Sequence, residues 1–208
     1  MHSEDVLADV LANLPAVPIN GTYHRSVANA SLYRKGRKPK LLFSLGAGMN
    51  GARFTPKGGP PCLYVSAQPV TTLSEVSGIA SSLVLAGLVA IPQPTTAFSM
   101  NVNLHRGILD LTNTDNLDKL GTTLAELDGP WEEQMKNGEP VPTQDLAKAV
   151  YESKRFQGLQ FFSHEAPGQV NIMIWTETVK APSVVEVIDG SGKLADRIPK
   201  IRKRRTTT

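Results

Sequence analysis

Cysteine is nearly absent from this chain. A single Cys62 in 208 residues excludes an internal disulfide. Four scattered histidines beside that one cysteine give no ligand spacing for zinc, so no metal is expected. Long hydrophobic runs are also missing. The most apolar stretch, Ile79–Ile91, is interrupted by Gly87 and is too short to span a bilayer, so it reads as a buried helix and no membrane partner is expected. The opening segment MHSEDVLADVLANL carries acids where a signal peptide carries bases, and it lacks an apolar core. Together these absences predict a cytoplasmic protein.

What is present fits an ordinary globular domain. Hydrophobic residues make up 40% and charged residues 20%, in a chain long enough to bury a core. The net charge of +3 misdescribes the body of the protein. Lys200, Arg202, Lys203, Arg204 and Arg205 crowd the C-terminal end, and without them the charge turns to −2. Such a tail reads either as a solvated end or as a weak contact to nucleic acid.

The pattern along the chain mixes helices and strands without a regular alternation, which predicts an α+β fold. Glu4–Leu14 has helical apolar spacing, with Glu4 and Asp5 at the favourable end of the dipole and Pro15 and Pro18 beyond its end. Thr22–Val27 reads as a strand with Tyr23, Arg25 and Val27 on one face. Ala28–Lys40 and the Gly/Pro-rich Gly46–Pro61 read as loops, and Cys62–Ala67 as a strand. A helix is expected to start near Thr71 and run towards Val89. Val102–Leu111 suggests a strand, NTDNLDKLG a loop or short helix, and Thr143 an N-cap for the helix Gln144–Ser153. Gly158–Phe162 and Asn171–Thr176 read as strands, and Val184–Ile188 followed by DGSG as a terminal hairpin.

Several residues carry two readings. Gly46–Gly51 is a literal GxGxxG, but the following ARFTPKGGPP cannot form the helix that a dinucleotide-binding turn opens, so the segment reads as a loop edging a pocket. Arg25 is a surface or salt-bridged strand Arg, or a forked clamp for phosphate oxygens. Arg53 is a solvated loop Arg, or a ligand contact beside the small Gly51 and Ala52. Tyr64 faces away from Leu63 and Val65, as a core tyrosine or as an aromatic wall. Glu75 completes a capping box with Thr72, or supplies a fixed carboxylate. Ser163 lacks a GxSxG elbow and is a strand-end hydrogen-bonding residue rather than a nucleophile paired with His164.

Arg25 in TYHRSV, Arg53, Tyr64 and Glu75 in GARFTPKGGPPCLYVSAQPVTTLSE, and Ser163 in GLQFFSHEAPGQVNIMIW form an ordered set. ILDLTN, Trp131, PTQDLAKAV and NIMIW follow in a matching order, so that residues 20–180 resemble the RES domain family. Two positions depart from the family pattern: Phe54 where Trp or Tyr is more usual, and His164 where a small residue is expected. The resemblance implies a single catalytic domain related to the ADP-ribosyltransferase fold, with small central sheets flanked by helices. Residues 1–19 would form a helical lead-in, and 181–208 the hairpin and tail.

The same resemblance implies the toxin of a toxin–antitoxin system that cleaves the nicotinamide–ribose bond of NAD+ without a metal. Arg25 and Arg53 would hold the pyrophosphate and Tyr64 would pack on nicotinamide. Glu75, with Ser163, would position the ribose and stabilise the oxocarbenium ion, whose charge is larger in the transition state than in bound NAD+. The implied partner is an Xre-like antitoxin, through which any DNA contact would run. Water, phosphate or a protein acceptor would complete the reaction. The rival is a non-catalytic interaction module.

Overall fold

The computed structural model describes residues 1–32, 39–72 and 94–200. Seven strands are joined in one sheet: β1 (Val17–Ala28), β2 (Cys62–Ser66), β3 (Thr95–Asp110), β4 (Gly158–Phe162), β5 (Val170–Trp175), β6 (Val184–Val187) and β7 (Arg197–Ile198). The strand order is β1-β2-β5-β4-β3-β6-β7, and β1 also pairs with β3. The pairings β1–β2–β5–β4–β3–β1 therefore close on themselves. The α+β expectation holds, but one continuous sheet replaces the separate small sheets.

The ring is built unevenly. β1 and β3 run antiparallel from Val17↔Ile108 to Ala28↔Thr95, and both are much longer than their apolar patterns suggest. Pro18 offers no N–H to a ladder, and the register shifts around it between Val17 and Ile19. By contrast, β1 and β2 share the one registered pair His24↔Ser66. β5 lies between β2 and β4 and pairs antiparallel with both. It is buried along Asn171–Trp175, which accounts for the near-continuous apolar run NIMIW.

Strand alternation sends side chains to two cores. Cys62 and Tyr64 join a cluster with Leu11, Leu146, Phe156 and Trp175 under the helices, whereas Leu63 and Val65 join Val102, Ile172 and Val185 in a second cluster. The helix Glu4–Asn13 buries Leu7 and Leu11 as its spacing predicts. Thr114–Leu120 resolves NTDNLDKLG as a helix, with the Asn113 side chain accepting from the N–H groups of Asp115 and Asn116 and Gly121 closing it in the left-handed region.

Three expectations are corrected: two loops and one helix cap. Asn29–Leu32 and Gly46–Asn50 are short helices inside segments read as loops. Leu124–Leu127 and Trp131–Asn137 are helices with no counterpart in the pattern analysis. The helix Pro142–Glu152 begins with Pro at its first position and is preceded by Val141, so Thr143 is inside it and is not its N-cap. Residues 69–72 are helical, as expected for a helix starting near Thr71, and its expected run towards Val89 lies outside the described residues. The hairpin expected near Val184–Ile188 forms between β6 and β7 and extends the sheet from β3.

At Gly158 the backbone of β5 leaves no room for a side chain on β4. A β-carbon there would stand 2.0 Å from the Met173 carbonyl oxygen, which is backbone and cannot swing aside. Gly158→Ala is expected to lower stability by about 1–3 kcal/mol. Urea unfolding checks this, and an unchanged midpoint would show that the strands can part at no cost.

Candidate functional site

A cleft of about 840 Å³ opens where β1 and β2 diverge from their single shared pair. Its volume lies in the range of small-molecule and cofactor sites. β1 contributes His24, Arg25 and Ser26, β2 contributes Tyr64 and Ser66, and β5 contributes Asn171. Gly51–Arg53, Thr72, the segment 128–133, Lys136, Phe161, His164 and Glu165 line more of it. A smaller cavity of about 350 Å³ adjoins it and shares Arg53, Asp128, Phe161 and His164 with it.

Arg25 is held by the backbone. Its Nη1 donates to the Leu41 carbonyl at 3.1 Å and its Nη2 to the Phe43 carbonyl at 3.0 Å. Burial of the guanidinium lowers its pKa to about 10, which leaves it charged at neutral pH. A buried cation offers an anion a stronger field than one in water. Two of its five N–H groups are committed to these carbonyls.

Arg53 reaches across the wall. Its Nε and Nη2 both donate to the Leu127 carbonyl, at 2.9 and 2.7 Å, and Nη1 donates to the Phe162 carbonyl at 3.0 Å. Nη2 also lies 3.4 Å from Asp128. The guanidinium stands 5.3 Å from the Phe54 ring centre and 5.5 Å from that of Phe161. Phe54 itself is buried against Phe161, with ring centres 4.5 Å apart, so the aromatic that follows Arg53 is a core residue.

The backbone of this segment is clamped in turn. Thr143 donates its hydroxyl to the Arg53 carbonyl, and Gln144 donates to the Ala52 carbonyl at 2.9 Å. This is the task of Thr143 that replaces the expected cap. Gly51 adopts φ +82°, a backbone conformation that strains any residue with a side chain, and it lies against the flexible end of Met135.

Tyr64 points into the helical-side core and the cleft together. Its hydroxyl accepts from the Phe54 N–H at 3.2 Å and lies 2.9 Å from Thr55 Oγ1, while Phe161 meets its ring edge-on at 6.2 Å. Burial pushes the Tyr64 phenol well above its usual range, so it stays neutral. Burial likewise raises the Cys62 thiol, which removes it as a nucleophile.

Ser163 is buried at the end of β4, accepts from the Ala166 N–H at 3.0 Å and lines the smaller cavity. His164 bonds Asp128 instead, so each of the two adjacent residues has its own partner. Glu75 lies outside the described residues. Thr72, three positions before it, lines the cleft. The Thr72 hydroxyl donates to the Pro69 carbonyl at 2.8 Å from within a helical turn, so Thr72 is not the capping residue that a Thr72–Glu75 box requires.

Pattern analysis missed the polar floor. Ser66 donates to Asn171 Oδ1 at 2.6 Å, Ser26 and Thr72 hydroxyls meet at 2.9 Å, and His24 Nδ1 lies 2.9 Å from Ser99 Oγ. The available signal was a polar residue at the edge of an apolar strand, as with Asn171 ahead of IMIW. Among the described residues no group of three or more metal-ligating side chains comes together, and no helix is long and apolar enough to cross a membrane.

The RES domain family model matches residues 31–195. No curated protein matches the chain. Among solved structures, the chain is similar to one chain of the crystal structure of the M. tuberculosis MbcT–MbcA toxin–antitoxin complex. The TM-score is 0.65 at 16% identity, covering 89% of this chain and 90% of that one. At that identity the likeness speaks for the fold.

Thr143→Val removes the bond to the Arg53 carbonyl and is expected to cost about 1 kcal/mol, whereas Arg53→Lys loses the fork to two carbonyls and costs about 3 kcal/mol. Chemical denaturation of both variants ranks them, and equal midpoints would remove Arg53 as the brace of this wall.

Proposed function

The chain belongs to the RES domain family, and from that premise we propose that it is the toxin of a toxin–antitoxin pair, an enzyme that consumes NAD+. The observation that carries this reading is the convergence of Arg25, Arg53 and Tyr64, residues 28 and 11 positions apart in order, on one cleft of about 840 Å³. The bond broken is the one between nicotinamide and ribose. A fold of the ADP-ribosyltransferase kind belongs to the same proposal.

Arg25 sits among the cleft's polar groups with N–H groups beyond the two that bind Leu41 and Phe43, and it receives the pyrophosphate. Arg53 adds positive charge to the wall it braces. The Tyr64 ring packs on the nicotinamide. Glu75, following cleft-lining Thr72 in the chain, supplies the carboxylate that stabilises positive charge developing on the ribose. Ser163, in the adjoining cavity, holds the ribose side of the ligand or the carboxylate.

The partner is an Xre-like antitoxin that covers the cleft, with DNA reached only through it, in the cytoplasm. Exposed apolar side chains at Met49 and Val70 stand two residues from the cleft-lining Gly51 and Thr72 and suit such a cover.

Purified chain, free of any antitoxin, is expected to deplete NAD+ over time, and Glu75→Gln to slow depletion at least about 100-fold, in the range for loss of an electrostatic transition-state stabiliser. Chromatography of the nucleotide products identifies the acceptor: ADP-ribose for water, its 1-phosphate for phosphate. A mass increment on an added protein would indicate ADP-ribosyl transfer. A folded wild-type chain that leaves NAD+ intact would sink NAD+ degradation.

A further inference from the structure

His164 and Asp128 are joined at the boundary between the two cavities. His164 Nδ1 lies 2.9 Å from Asp128 Oδ1, and the same oxygen lies 3.4 Å from Arg53 Nη2. Asp128 follows the helix Leu124–Leu127 and His164 follows β4, the two elements that Arg53 ties through the Leu127 and Phe162 carbonyls. Both side chains are about half exposed, at 58% and 51%, and both line the main cleft as well as the smaller cavity.

A carboxylate can only accept, so the His164 Nδ1–H donates to Asp128 and the lone pair of the neutral ring falls on Nε2. An imidazole fixed in this tautomer by an acid is the arrangement of a general base. Asp128, in contact with the ring, and Glu165, next to His164 in the chain, favour a neutral co-substrate over an anion at this position. Glu132, Glu133 and Glu165 join Asp128 in lining the cleft, against the cations Arg25, Arg53 and Lys136.

We propose that His164, oriented by Asp128, is the base that activates water as the acceptor, so that this chain hydrolyses NAD+. The inference rests on the NAD+-cleaving reading above. As the ribose C1–nicotinamide nitrogen bond breaks, its electron pair leaves with the nitrogen and nicotinamide departs neutral. A water oxygen bonds to C1, one of its protons passes to Nε2, and the products are nicotinamide, ADP-ribose and a proton that the imidazolium later releases to solvent. Asp128 is a positioning residue. Arg53 holds its carboxylate in place.

The test is single-turnover NAD+ loss with product identification, on the full chain and on His164→Ala, His164→Gln and Asp128→Asn, with and without phosphate. His164→Ala is expected to slow turnover about 100-fold with KM little changed, the low end of general base catalysis. Added imidazole should restore part of that rate, which a structural histidine would not allow. Wild type should release ADP-ribose even in phosphate buffer. Wild-type speed in His164→Ala overturns the inference, as does a loss with raised KM that imidazole does not rescue, or formation of ADP-ribose 1-phosphate. Should His164→Ala fail to fold, His164→Gln decides by the same criteria. If wild type itself leaves NAD+ intact, the NAD+ reading fails and this inference with it, a result distinct from an active enzyme indifferent to His164.

Discussion

The grip of the Arg53 guanidinium on the Leu127 and Phe162 carbonyls is the contact on which the site depends. It joins a loop near residue 53, a one-turn helix near 127 and the end of a strand at 162, none of them sequence neighbours. The loop is held further by Thr143 and Gln144, and the one-turn helix by its own backbone bonds, while Arg53 ties them to each other and to the strand end. A planar cation with a rigid fork can satisfy two carbonyls from different elements at once, which a flexible ammonium does poorly. The Phe54 and Phe161 rings flank the guanidinium, and the Arg53 side chain is only 11% exposed.

Around this brace, charge is placed at two depths. Arg25 is drawn into the protein and bound to carbonyls, where desolvation costs it some of its proton affinity. Lys136, Glu132 and Glu133 lie exposed on the helix Trp131–Asn137 and are screened by solvent. A ligand meeting the cleft therefore encounters weak, mixed charge first and strong fixed charge last. The neutral hydroxyls and amide between them, at Ser26, Ser66, Thr72 and Asn171, are mutually bonded and offer adaptable partners to a polar ligand.

Much of this was legible in the residues. The order of Arg25, Arg53, Tyr64, Glu75 and Ser163 pointed to the family, and alternation along Cys62–Ser66 placed Tyr64 on the correct face because strand geometry leaves no choice. Thr143 misled because a threonine before a helical pattern has the composition of a cap, while Pro142 had already started the helix and freed the hydroxyl for a carbonyl ninety residues away. The lengths of β1 and β3 were hidden because Val17–Gly21 and Thr95–Asn101 mix apolar residues with Pro, Gly and polar ones and show no clean alternation. These segments bury only single residues such as Ile19 and Met100, the two strands are held by pairing with each other, and hydrogen-bond partnership leaves no mark on hydropathy. The link from Arg53 to Leu127 was likewise invisible, since a carbonyl acceptor has no side-chain signature.

The place of β5 has a consequence for how the protein comes into being. It is the only described strand that bridges β2 and β4, and it is among the last to be synthesised, at Val170–Trp175. A nascent chain halted before it lacks the strand that joins β2 directly to β4, and holds them only through β1, β3 and the Arg53 bond to Phe162. The ring closes through contacts remote in sequence, which form late and as a unit. A protein built in this order completes the sheet that frames its cleft only once nearly all of its chain has been made.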